Sequence, residues 1–164
     1  MGDVISKISS YNIFTNLIPG AVLAFIMHRL EIYDFQSPST VIDIIMYYFL
    51  GVVVSRVGSV ILQPVLRRTH FIKHGDYSSF IVAEAKDPKI AVLLESSNLY
   101  RSICSVLLLS LLAYWVKLLA ARYGWSLRSV EVGTVIFLAA LFLLSYRKQA
   151  AFIEKRVQHH NRGE

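Results

Sequence analysis

The sequence has a single cysteine, Cys104, and it lies inside an apolar run. An intrachain disulfide is excluded, as is a zinc site built from cysteine pairs. Cys104 reads as a small apolar packing residue. The eight glycines are dispersed, so no glycine-rich loop is present to cradle a phosphate. No nucleophile stands beside a base, and no two carboxylates share a helical face. Ser96, Ser97 and Asn98 after Glu95 read as ordinary helix surface. No catalytic residue is assigned, and no cofactor is expected. Of the five histidines, His70 and His74 have helical spacing but lack an HExxH frame or an acid partner, and His159-His160 ends the tail. No metal site is expected either. Charged residues are also scarce, at 17% against about 25% in an average soluble domain.

What is abundant is apolar sequence. Hydrophobic residues make up 55% of the chain, the mean hydropathy is +0.51, and the excess is gathered in runs of about 20 residues. A soluble fold of this size has no core that could hide several such runs, whereas a bilayer accepts them as they stand. The net charge is +6, but the basic residues border the apolar runs. That placement fits membrane topology and anionic lipid rather than nucleic acid, and no nucleic-acid-reading motif is present. The expected fold is an all-α integral membrane protein, one domain with four transmembrane helices and cytoplasmic helical extensions. The spans are read at 13–30, 41–62, 102–121 and 130–146, with a cytoplasmic segment at 63–101 and a tail at 147–164.

Local signals set these limits. Asp3 and the Pro19-Gly20 interruption argue against a cleaved signal, and the match of Gly2 and Ser6 to a myristoylation pattern is read as coincidence. Asn12 to Ile18 is expected as a short interfacial turn or a kinked helix start before the first span. Ser39 or Thr40 could cap the second helix, and Gln63-Pro64 is expected to end it. Asp87-Pro88 reads as the start of a third helix that begins outside the membrane and meets no breaker before Gly124. Trp115, Tyr114, Tyr123 and Trp125 gather at its far end as an interfacial belt. The fourth helix is expected to run on toward His160. Twelve of the seventeen Lys and Arg residues fall to the side holding the N-terminus, the middle segment and the tail. Arg29, Lys117, Arg122 and Arg128 fall to the other side, and Arg56 lies within a span. This asymmetry places both termini in the cytoplasm.

Gly51, Ser55 and Ser59 are spaced by four and are bordered by Gly58. They form a ridge of small residues that lets helix backbones approach in lipid. Asn16 and Arg56 are the polar residues expected within the membrane. Arg56 either faces the bundle interior, with Asn16 or a tyrosine hydroxyl as partner, or snorkels to the cytoplasmic head groups. Asp43 and Glu131 favour the dipole at the start of their spans, unless they ring a pore mouth. Outside the lipid, Phe80, Ile81, Ile90, Leu93, Leu94, Phe152, Ile153 and Val157 are apolar. They are expected to pack largely on one another, so that the third and fourth helices extend together, and to leave edges for a second copy of the chain or for a cytosolic protein.

The string Tyr11-Asn12-Ile13-Phe14-Thr15-Asn16-Leu17-Ile18-Pro19-Gly20 looks like the opening of a group of small four-span bacterial proteins found beside anti-phage defence genes. The run of Tyr77, Phe80, Ala83, Asp87, Ile90, Leu93, Asn98, Tyr100, Arg101 and Ser102 is similar to their middle segment. Among them the chain most resembles the membrane subunit of the Kiwa system. The resemblance implies the membrane half of a two-component antiviral system. Such a subunit would be a homo-oligomer in the inner membrane, holding a cytosolic effector and sensing membrane disturbance. It carries no catalytic motif over to this chain. The alternative reading from the residues is a pore, with Asn16, Ser55, Arg56 and Ser59 along the path.

Overall fold

A computed structural model describes the backbone of residues 2–72, 83, 86–87 and 89–161, with side chains from residue 13 to residue 158 of that set. Every regular element in it is helical. Helix α1 is Gly2–Arg29, α2 is Thr40–Arg68, α3 is Lys89–Tyr123 and α4 is Leu127–Asn161. Helices α2, α3 and α4 are long and apolar enough to cross a membrane, and Ile13–Arg29 of α1 is a shorter apolar helix. Three long apolar helices in one small chain suggest a multi-pass membrane protein.

Helix α1 runs unbroken through residues 12–18, so no turn forms there, and Pro19 lies inside the helix. Helix α1 stops at Arg29, Glu31 just beyond it has a φ of 51°, and the Ile32 amide donates to the Met27 carbonyl at 2.9 Å. At the start of α2, Ser39 occupies the cap position but its hydroxyl makes no capping bond. Asp43 fixes the loop instead, accepting the Ser37 amide at 2.8 Å. Asp87 does act as expected. Its Oδ1 accepts the Lys89 amide at 3.0 Å at the start of α3. Gly124, with φ +65°, closes that helix in the left-handed region.

The expected end of α2 at Gln63-Pro64 is not an end. The helix widens into a π turn over Gly58–Leu62 and continues as Gln63–Arg68. In the π turn the Gln63 amide reaches back five residues to the Gly58 carbonyl, so the Ser59 carbonyl loses its α-helical donor. The next candidate donor is residue 64, and proline has no N–H. The chain therefore absorbs Pro64 by leaving one carbonyl, that of Ser59, unserved within the helix.

Helix α2 is the centre of the molecule and packs against the other three. Leu23 and Met27 of α1, Val54 of α2 and Val106 of α3 form one core. Val53 and Val57 of α2 form a second with Leu141 of α4. The tightest crossing joins α1 and α2, where a Cβ on Gly20 would fall on the Tyr47 carbonyl and one on Gly51 on that of Asn16. Ser105, Ser110 and Ser145 are buried because each hydroxyl donates to the carbonyl four residues earlier, at 2.8 Å, which satisfies it inside the helix. Helix α4 packs chiefly on α2, with little contact to α3. The two helices do not extend side by side as expected.

Candidate functional site

The polar features of the bundle lie at its two ends. At one end Lys117 of α3 donates to the carbonyls of Leu30 and Glu31, at 3.0 and 2.9 Å. These are orphan acceptors at the C-terminus of α1. His28 Nδ1 lies 3.4 Å from Asp34 Oδ2 nearby. Trp115, Tyr123 and Trp125 are exposed at this end, with Tyr123 and Trp125 stacked 6.3 Å apart.

At the other end Lys148 of α4 reaches the π turn. Its Nζ donates to the Ser59 carbonyl at 2.5 Å, to Ser59 Oγ at 2.8 Å and to Gln63 Oε1 at 3.3 Å. The missing helical donor is thus replaced by a cation from another helix. Lys148 also lies 5.9 Å from the centroid of the Phe152 ring. Around it stand Arg56, Arg67 and Arg101, each close enough to act on the lysine's charge. Arg56 also stands close enough to act on the charge of Arg101. Among the described residues Arg56, Arg101 and Lys148 form no ion pair. Arg101 lies across Gly58, where an added Cβ would meet Ser105 Oγ at 2.7 Å, Arg101 Cγ at 3.1 Å and Arg101 Nε at 3.3 Å. That Nε is covered and has no acceptor, a deficit worth about 1–3 kcal/mol for a buried donor.

The residues singled out from sequence fall at several places. Gly51 faces α1, Gly58 faces α3 and Ser59 faces Lys148 of α4. The small-residue ridge is therefore occupied within the chain at three of its four positions, and Ser55 beside them is half-buried. Asn16 lies against Gly51 at the α1–α2 crossing, and Arg56 belongs to the basic cluster. Leu94, Phe152, Ile153 and Val157 are exposed, and Ile90 is half-buried. Among the described residues, the α3 and α4 members of this set make little contact across the two helices. Phe80 and Ile81 lie outside the described residues. No group of His, Cys, Asp and Glu suited to a metal ion occurs among the described residues.

Sequence reasoning counted Arg67, Arg101 and Lys148 only as topology charges and did not join them to Arg56. The available signal was Pro64, which removes a helical donor, but neither the π turn that shifts the loss to the Ser59 carbonyl nor the lysine that answers it is announced by the sequence. Comparison with family models, with curated proteins and with solved structures finds no match to this chain.

Proposed function

We propose that this chain is a non-enzymatic, oligomeric subunit of a bacterial inner membrane that anchors or regulates a cytosolic effector and responds to membrane disturbance in antiviral defence. The observation that carries the reading is the length and surface of two helices. Helices α3 and α4 each have 35 residues, about 52 Å at 1.5 Å per residue, while a hydrocarbon core is about 30 Å thick. The surplus carries exposed Leu93, Leu94, Phe152, Ile153 and Val157, a surface suited to another protein. The positive-inside asymmetry supports four spans with both termini in the cytoplasm, α1 being the fourth. The defence role is supported by the resemblance of the Tyr11 to Gly20 string and of the Tyr77 to Ser102 run.

The test is to purify the tagged chain from its host in mild detergent, weigh the complex and identify what accompanies it. A cytosolic protein in fixed stoichiometry is the expected result. A homo-oligomer with nothing attached defeats the anchoring role, and conductance in planar bilayers, compared with Arg56→Leu, then tests the chain as a pore.

A further inference from the structure

The basic end of the bundle has the composition of a binding site for an anion. Three helices meet here: Lys148 of α4 bonds Ser59 and Gln63 of α2, Arg101 of α3 lies across the neighbouring Gly58, and Arg56 and Arg67 stand on α2 to either side. Like charges held this close repel unless a counter-charge joins them, and no described carboxylate pairs with Arg56, Arg101 or Lys148. The lysine is itself oriented. Two of its bonds go to Ser59 and a longer one to Gln63, so its main offering to a ligand is charge. The Ser59 hydroxyl accepts from Lys148 and keeps its own proton to donate. Guanidinium groups present planar forks that match phosphate oxygens, and the cluster supplies them from two different helices, α2 and α3.

Position selects the source of the anion. Ser59 lies nineteen residues along α2 from Thr40, which is about 29 Å of helix and close to the thickness of a hydrocarbon core. Lys148 lies twenty-one residues along α4 from Leu127, about 32 Å. The cluster therefore sits at head-group depth when the exposed tryptophans and tyrosines of the opposite end sit at theirs.

We propose that Arg56, Arg101, Lys148 and Ser59, with Arg67 at the rim, bind one phosphate group, that of an acidic phospholipid held between α2, α3 and α4. The site is independent of the effector and of any defence role, and needs only that these helices lie in a membrane.

The experiment is native mass spectrometry of the purified full chain, with thermal unfolding in parallel. The detergent is supplemented with phosphatidylcholine, phosphatidylglycerol, inorganic phosphate or glycerol 3-phosphate. Phosphatidylglycerol should remain bound and stabilise the chain, and phosphatidylcholine should do neither. Arg101→Gln with Lys148→Gln should weaken phosphatidylglycerol retention by about a hundredfold, since each charge-assisted contact to a bound phosphate contributes roughly a factor of ten. Arg147→Gln with Lys155→Gln, exposed charges at the same end, should weaken it by less than about threefold. Stabilisation by inorganic phosphate or glycerol 3-phosphate to the same degree supports the phosphate site but reassigns its source to a soluble ligand. Equal retention of the two lipids by the unaltered chain overturns the proposal without recourse to any variant. Equal losses in the two double variants overturn it in favour of diffuse surface attraction.

Discussion

At one end of the bundle Lys117 donates to the carbonyls of Leu30 and Glu31; at the other Lys148 donates to that of Ser59. Both lysines serve carbonyls that a helix leaves without a donor, but the acceptors differ in origin. Those of Leu30 and Glu31 belong to a helix terminus, where every helix has such acceptors and water can serve them. That of Ser59 belongs to the interior of α2, where Pro64 and the π turn together remove the donor. The surroundings differ as well. Lys117 has Glu31 and Asp34 near its acceptors, whereas the neighbours acting on Lys148 are Arg56, Arg67 and Arg101. The same bond is a cap at one end and a structural necessity at the other, where it holds a cation among cations.

The comparison predicts unequal costs. Lys148→Met should be the more damaging change, lowering stability in detergent by about 1–3 kcal/mol, the cost of a covered carbonyl without a donor. Lys117→Met should cost about 0.5–1 kcal/mol, since solvent replaces the lysine at an exposed helix end. Thermal unfolding of the two variants side by side checks the order, and equal losses would erase the distinction drawn here. A sharper test places Pro64→Ala in the Lys148→Met background. Residue 64 then has an amide to offer the Ser59 carbonyl, and the cost of losing Lys148 should fall below about 1 kcal/mol, measured as a double-mutant cycle. The smallest effect on stability belongs to Ile153→Ser with Val157→Ser. Both side chains are exposed, so unfolding should shift by less than about 0.5 kcal/mol, while co-purification of a cytosolic partner should be lost.

The helices were legible because their signals are local. The apolar runs, Asp87 and Gly124 each act through neighbours a few residues away, and the start and stop of α3 follow from them. Pro64 was misread for the opposite reason. Whether a proline ends a helix depends on whether something serves the carbonyl it abandons, and here the donor is Lys148, remote in sequence and on another helix. The pairing of α3 with α4 was expected from the apolar stripes outside the lipid, but a stripe does not name its partner, and the turn at residues 124–126 fixes only the ends it joins. Beyond it, Leu138 and Leu141 find Val53 and Val57 of α2, and α3 turns its serines to α1 and α2 instead. Ser105 and Ser110 were unremarked because a hydroxyl looks unsuited to a core until its bond to its own helix is seen. Arg56 stood out from the start, but a single sequence does not display its companions.

The sparse contacts of α4 have a mechanical consequence. A helix longer than the bilayer is thick adjusts by tilting, and one with few neighbours resists that tilt least. From Lys148 to Asn161 α4 projects about 20 Å, so a lean of about 10° about the head-group level carries its tip sideways by roughly 3 Å. Helix α2, gripped on three sides, gives no such play. Under the function proposed above, α2 is a fixed post and α4 a lever beside it, and a change of a few ångströms in membrane thickness would reach the tip of that lever as a movement large enough to make or break a side-chain contact.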